Sequence, residues 1–426
     1  MTEVIATNQT ILVVGAGISG MTAALEAAEA GKDVLLIEKR PFVGGRVTQL
    51  YKYFPKLCPP TCGLEINQRR IKGNPRLDVL TMAEVAEVSG KEGDYSVRIK
   101  VAPRYVNERC TACGACADVV TSEFDDEFNF EMGKRKGAYL PYNMAYPQRY
   151  VLDPRIIGTD EAQRARDACK YGAIDLDMQE ETIALKVGAI IWATGWRPYD
   201  AGKIQPYGYD RIDNVITSME FERMMDPFGP TGGKLVRPSD GKEAKNVAFI
   251  QCAGSRDRNH LLHCSRICCM ATLKQSTYVR EQFGDDGDVT VYYIDIRTID
   301  RFEDFYTKVQ DDPKVRFVKS KVASIDEDKS SGNPILYGVD TEGGNRYATP
   351  HDLAVLAIGM QPSVENFPVD VVVNREGFIE LDEANGGIFA AGCSSDALDV
   401  NRSVQSATAA ALRAIQVVNR AAAAEG

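Results

Sequence analysis

The chain is short of basic charge: 50 Lys and Arg stand against 60 Asp and Glu over 426 residues, a formal net charge of −10. Binding a phosphate backbone needs a basic face, so nucleic acid is not an expected partner. No apolar run reaches the roughly 18 residues that a spanning helix needs, so no membrane span is expected. Contact with a membrane protein stays open. The first residues, MTEVIATNQT, lack the basic and long apolar regions of a signal peptide, and a cytoplasmic location is expected. Histidine is scarce too. His260, His263 and His351 are the only three, and none falls in a Ser–His–Asp or zinc-protease pattern. A chain that is 44% hydrophobic and 26% charged is an ordinary globular one, long enough for two or three cores.

Cysteine, by contrast, is plentiful. Eleven are present, and without an export signal they are not expected to be disulfide staples. Seven fall in two tight clusters, whereas cysteines serving as small buried apolar residues would scatter. The composition therefore points to metal or redox chemistry.

Residues 10–45 read TILVVGAGISGMTAALEAAEAGKDVLLIEKRPFVGG. An apolar strand, 11–14, runs into Gly15, Gly17 and Gly20 and then an alanine-rich helix; a second strand, 34–37, ends at Glu38. In a βαβ dinucleotide site each part has a task. Gly15 makes the tight turn, Gly17 admits a pyrophosphate, Gly20 lets helix and strand pack, the helix N-terminus offers N–H groups, and Glu38 can bond ribose hydroxyls. FAD is preferred over NAD because Gly44, Gly45 and Arg46 extend the loop. Two apolar strands ending in a glycine turn follow later, AIIWATGWRP (189–198) and LAVLAIGMQP (353–362). Then GIFAAGCSSDALDVNRSVQSATAAALRAI (387–415) reads as strand, glycine turn and long helix. This order resembles the thioredoxin-reductase-like flavoproteins, with two dinucleotide domains in a Rossmann-like, three-layer α/β fold. The resemblance implies FAD contacts at Gly15, Gly17, Ser19, Gly20, Glu38, Lys39, Gly45, Arg46, Val85, Thr194, Gly195, Gly392, Cys393 and Val404. In that group an Asp, which binds the ribityl chain, usually stands where Cys393 does.

CTACGAC (110–116) is a CxxCxxC run of the kind that wraps a [4Fe–4S] cube. Two-cluster ferredoxins add a fourth cysteine that serves the other cluster, but here that slot is Val120. Cys169, in ACKYGAI, stands where the second motif's last cysteine would be, and by the same crossing rule it closes the first set. Cys110, Cys113, Cys116 and Cys169 are thus the expected ligands of one cluster in an inserted ferredoxin-like domain. Lys170 stands where ferredoxins carry proline. Zinc also accepts four thiolates, although the spacing is ferredoxin-like. The acidic, aromatic loop EFDDEFNFE (123–131) within the insertion is read as solvated or partner-facing surface.

KNVAFIQC (245–252) and DVTVYYIDI (288–296) read as strands of a second βαβ unit, with a helix expected over 264–282. The phosphate fingerprint is gone, and Asp295 alone cannot replace it, so NAD(P)H is not expected here. Cys252, Cys264, Cys268 and Cys269 fill the turn instead. Cys264 and Cys268 would share a helix face, while Cys268 and Cys269 both ligate only if the turn is irregular. Spacing alone leaves zinc, a disulfide or a redox pair open.

CAGSR…CSRICCM, the flavin motif, the ferredoxin insertion and FAAGC together resemble the heterodisulfide reductase A-subunit family. That resemblance implies a second, non-standard [4Fe–4S] cluster on Cys252, Cys264, Cys268 and Cys269, and Cys393 also matches the family. The compact chain, the single ferredoxin cluster and YFPKLCPPTCGLEIN (53–67) look closest to the quinone-modifying (quinone-interacting) oxidoreductase branch. This implies an electron-transfer flavoprotein linking the quinone pool to adenylylsulfate reductase, working with partner subunits or as a dimer, peripheral on the inner membrane through those partners. A sulfur-oxidising complex, a self-contained NAD(P)H or disulfide oxidoreductase using Cys58 and Cys62, and a structural protein with vestigial cofactors are the competing readings. The expected domains are 1–102, 179–235 and 348–426 for FAD, 103–178 for the ferredoxin insertion and 236–347 for the degenerate NAD(P)-like part.

Overall fold

The computed structural model describes residues 6–364, 367–380 and 386–425. The chain forms two compact units, one of Met1–Thr48, Thr61–Trp196 and Pro362–Gly426, the other of Gln49–Pro60 and Arg197–Gln361.

In the first unit a five-stranded sheet runs in the order Ile388–Ala390, β7 (Ala189–Trp192), β1 (Ile11–Val14), β2 (Val34–Glu38), β3 (Leu77–Thr81), and every pairing is parallel. β1 and β7 are buried along their whole length, as parallel strands covered on both faces must be. Helix α1 (Ile18–Glu29) and the C-terminal helix Val400–Glu425 pack on one another and on this sheet. The other face meets an antiparallel sheet of β4 (Ala83–Lys91), β5 (Asp94–Val101) and β6 (Glu181–Val187). β5 alternates strictly, and its inward Tyr95, Val97 and Ile99 join Leu12, Leu35 and Ile190 in one core. Helices, parallel sheet and antiparallel sheet make three layers.

The segment 102–180 leaves and returns between β5 and β6, where Val101 pairs with Glu181. It has a core of its own, including Val106, Cys116, Leu152 and Ile174, and Val120 is fully buried in it. Helices α2 (Thr61–Gly73) and α3 (Asp160–Ala168) follow α1 along the chain, and α3 ends at Cys169. The loop 123–131 departs from a plain solvated surface. Phe128 stacks on Tyr142 at 5.2 Å and meets Phe42 edge-on at 5.7 Å, because burying its rings outweighs exposing them beside the acids.

The second unit carries another all-parallel sheet, ordered β8 (Val215–Thr217), β12 (Leu353–Ile358), β9 (Asn246–Ala253), β10 (Asp288–Tyr293), β11 (Val315–Lys319). Strand 353–358, expected in the flavin part, is central here, between β8 and β9. The chain crosses at 196/197 and 361/362 rather than near 235 and 347. A strand buried on both faces carries no alternation to say which sheet it joins.

Helices α4 (Ser218–Met225) and α5 (Cys268–Phe283) hold a buried ion pair: Lys274 Nζ lies 2.8 Å from Glu222 Oε1 with both side chains at most 3% exposed. Gln275 and the Tyr51 N–H also donate to that carboxylate, at 2.7 and 2.9 Å, and Lys274 donates to the Lys52 carbonyl at 2.7 Å. Residues 49–60 are thereby strapped to α4 and α5 within this unit.

Candidate functional site

β1 delivers the chain into Gly15 and α1, and the three glycines there differ in what surrounds them. A Cβ on Gly15, at φ +100°, would lie 2.4 Å from the Ala193 carbonyl oxygen, and one on Gly20 would lie 1.7 Å from the Gly15 oxygen. A Cβ on Gly17 would meet nothing nearer than the Gly45 Cα, at 3.8 Å. Gly17 and Gly45 thus face each other as bare backbone with room above Gly17, the kind of cradle a pyrophosphate fills. Glu38 Oε2 accepts from Ala16 N at 2.7 Å and Oε1 from Arg40 N at 2.9 Å. Burial pushes its pKa up against the pull of these bonds, and each oxygen keeps a lone pair for a ribose hydroxyl.

Lys39 is surface-exposed and paired with Glu84, 3.3 Å away, while Val85 lies early in β4. Arg46 Nε donates to the Trp196 carbonyl at 3.1 Å, its guanidinium lies over Phe130 and Trp196, and burial brings its pKa down to about 9. Thr194 donates to the Ser363 carbonyl at 2.7 Å, and Gly195 N donates to Ser394 Oγ at 3.1 Å. Ser19 Oγ would lie 1.9 Å from a Cβ on Gly392, whose N–H donates to Ser406. Val404 sits in the first turns of the C-terminal helix. Ser394 had no motif to mark it, since its partners lie about 200 residues away in sequence.

Cys393 is buried, with its thiol turned onto the protein. Its Sγ donates to the Leu398 carbonyl at 3.4 Å and lies 3.8 Å from Ser403 Oγ, and burial lifts its pKa to about 11.

Cys110, Cys113, Cys116 and Cys169 line one hollow, with about 310 Å³ of empty space open to solvent, together with Gly114, Tyr150 and Tyr171. Gly114, at φ +86°, and Ala112, at φ +55°, turn the loop so that all three cysteines of the run face inward. Backbone N–H groups already point at sulfur: Ala112 N at 3.4 Å from Cys110 Sγ and Ala173 N at 3.3 Å from Cys169 Sγ. Burial first, then the neighbouring thiols, raise Cys116 to about 11. A zinc tetrahedron with 2.3 Å bonds would need the sulfurs about 3.8 Å apart. Among the described residues, no three His, Cys, Asp or Glu side chains close on a single ion. Four thiols lining one hollow are a donor set suited to a metal ion or a cluster.

The second set assembles between the end of β9 and the start of α5. Cys252, at φ +57°, ends the regular β9–β12 register, which breaks between Ile250 and Ala253. The helix begins at Cys268, not at 264, because Arg266 at φ +63° breaks it; Cys264 therefore lies in the loop and shares no helix face with Cys268. Cys268 and Cys269 occupy the first turn of α5. Burial, then Cys269, Cys252 and Cys264, push the Cys268 pKa far up. Cys269 is raised to about 11, by burial first and with contributions from Cys252 and Cys264. The four sulfurs are close enough to act on one another. The amide of Gln251, 4% exposed and one residue before Cys252, has no protein partner, an orphan consistent with a bound group. Arg266 N lies 3.3 Å from Cys264 Sγ, an N–H suited to a ligating sulfur.

Cys58 and Cys62 are exposed thiols that fall in different units. His263 Nε2 donates to the Met360 carbonyl at 2.8 Å, His260 bonds Tyr199, and His351 is buried between Tyr292 and Asn246. Trp192 is buried and stacks on Phe367 at 4.5 Å.

Residues 10–102 match the family described as FAD dependent oxidoreductase. The chain is 39% identical over 418 residues to the second iron–sulfur A subunit of the CoB–CoM heterodisulfide reductase of Methanopyrus kandleri, which takes in 95% of this chain and 63% of that protein. The corresponding A subunit of Methanocaldococcus jannaschii is 40% identical over 373 residues, 85% of this chain and 55% of that one. The chain thus spans between half and two thirds of the length of these relatives. Thioredoxin reductases of T. acidophilum and Lactococcus lactis share the fold at 13% and 14% identity, with TM-scores of 0.52 and 0.53 over 96% and 97% of this chain and 98% and 99% of theirs. With a thioredoxin-reductase-like fold, an FAD-dependent oxidoreductase segment and this identity to the two methanogen proteins over most of its length, the chain is similar to the heterodisulfide reductase A subunits.

Proposed function

We propose that the chain is the FAD- and iron–sulfur-carrying electron-transfer subunit of a cytoplasmic heterodisulfide-reductase-like oxidoreductase. The observation that carries this reading is the convergence of Cys252, Cys264, Cys268 and Cys269 at the turn where a βαβ unit would otherwise take a nicotinamide nucleotide's phosphates. FAD, when bound, would couple paired to single electrons, and [4Fe–4S] clusters would carry single ones. The Gly17–Gly45 cradle and the N-terminus of α1 would take the pyrophosphate, and Glu38 the ribose. The backbone N–H groups of Ala112, Ala173 and Arg266 would bond the ligating sulfurs of Cys110, Cys169 and Cys264, and burial of Cys252 and Cys269 would exclude water from the second set.

Anaerobic iron, sulfide and flavin analysis with EPR tests this directly. About eight irons and one FAD per chain are expected, four irons for each thiol set. Cys169→Ala and Cys269→Ala should each remove about four irons and a different EPR signal, with flavin retained. Zinc in either set, or steady-state NAD(P)H oxidation by the pure chain, would sink the proposal.

Within the family, we place the chain in the quinone-modifying branch, passing electrons between the quinone pool and adenylylsulfate reductase with partner subunits at the inner membrane. The likeness of residues 53–67 to that branch supports this. A purified complex should then exchange electrons with a quinol analogue; one that reduced only a thiol heterodisulfide, as the methanogen relatives' names describe, would refute the branch and keep the family.

A further inference from the structure

Beside the thiols of the second set stand charged groups, Arg256 and Asp295, that have no part in the electron-transfer roles assigned so far. The Arg256 guanidinium lies near enough to Cys252 to act on it electrostatically and donates to Asp295 Oδ1 at 2.6 Å, and the Asp295 carbonyl accepts from Cys269 Sγ at 3.7 Å. The same Asp295 oxygen accepts from Arg297 Nε at 3.3 Å. One residue thus pairs with two arginines through its carboxylate and meets a thiol of the set through its carbonyl. The backbone supports this aim. Arg256 is held at φ +54°, a conformation that is costly outside glycine, and its N–H donates to the His263 carbonyl at 3.0 Å, closing the 252–264 loop on itself. The Arg256 side chain is only 24% exposed, so its charge is partly shielded from water.

Asp295 follows β10 much as Glu38 ends β2, the place of a ribose-binding acid in a dinucleotide fold. Here its oxygen is committed to guanidinium groups. A guanidinium stays charged at any working pH and forms directed bonds. Beside a ligating sulfur it favours the more negative, reduced state of whatever redox centre that sulfur holds, since cluster potential follows net charge and hydrogen bonding to sulfur.

We infer that Arg256, braced by Asp295, is a positioning residue that raises the reduction potential of the iron–sulfur group held by Cys252, Cys264, Cys268 and Cys269. The inference rests on the iron–sulfur reading of that set.

The test is an anaerobic redox titration of the full chain followed by EPR, on wild type, Arg256→Gln and Arg256→Lys. Arg256→Gln should move the midpoint of the second set's signal to a more negative value and leave the flavin and the ferredoxin-type signal where they were. Arg256→Lys, which keeps the charge, should recover most of the shift. An Arg256→Gln midpoint equal to wild type overturns the inference while leaving the cluster reading intact. Should Arg256→Gln lose the signal, Arg256→Lys decides: a signal kept near the wild-type midpoint supports the role of charge, and its loss as well makes Arg256 merely structural. A wild type without any signal from this set overturns the iron–sulfur reading, and this inference with it.

Discussion

Adding one methyl group at position 17 or at position 20 should break two different things. Gly17 sits at φ −72° and ψ −174°, which alanine adopts freely, and its new Cβ would meet no protein atom within 3.8 Å. Restricting the unfolded chain should gain about 0.4–1 kcal/mol. Replacing glycine by alanine at the N-cap of α1 should cost about 0.5–1 kcal/mol. The two nearly cancel, so flavin-free Gly17→Ala should unfold within about 1 kcal/mol of wild type. Its methyl group would nonetheless occupy the space above the Gly17–Gly45 cradle, and FAD per chain after anaerobic purification with excess FAD should drop well below wild type. Gly20→Ala differs, because its Cβ would fall 1.7 Å from the Gly15 oxygen, and Gly15 is itself pressed against Ala193. With nothing able to retreat, the cost should reach or exceed the ~3 kcal/mol upper end of ordinary overpacking. Denaturant unfolding by circular dichroism measures the first quantity and flavin absorbance per chain the second. Gly17→Ala that keeps a full complement of tightly bound FAD, or that unfolds as early as Gly20→Ala, would falsify the cradle.

The ion pair beneath α5 gives a second prediction. Lys274→Met leaves the Glu222 carboxylate buried beside an apolar side chain and should cost about 3–5 kcal/mol, most of it recovered in Glu222→Gln/Lys274→Met, as read from unfolding midpoints. His351 gives the third: burial first, then Arg316, depress its pKa from 6.5 to about 4. The unfolded chain therefore binds an extra proton between those values, so stability is full above about pH 6.5 and falls as the pH drops toward 4. The loss should total about 3 kcal/mol, and His351→Gln should flatten that part of the pH–stability curve.

Local signals carried the flavin half. The run from β1 through Gly15 and α1 to β2 could be read directly because strand, turn and helix follow one another within thirty residues. CTACGAC stood out for the same reason, and the two-cluster ferredoxin pattern pointed to remote Cys169, which lines the same hollow. Three features were not legible. Leu353–Ile358 is apolar at every position, so nothing in it names its neighbours. The start of α5 depends on one left-handed residue, Arg266, which propensity does not mark. The contacts of Arg256 with Asp295 and of Glu222 with Lys274 join residues about 40 and 50 positions apart, and charge pattern gives them no distinguishing mark.

Strand β7 pairs with β1 on one side and with Ile388–Ala390 on the other. During synthesis, that second partner leaves the ribosome roughly 200 residues after β7, a delay of about 10–40 s at ordinary elongation rates. Until then the nascent flavin sheet ends in an open edge whose Ile190 and Ile191 are completely buried in the finished protein. The newborn chain thus passes through a sticky interval, and whatever shields that edge in the cell has to act before the last forty residues appear.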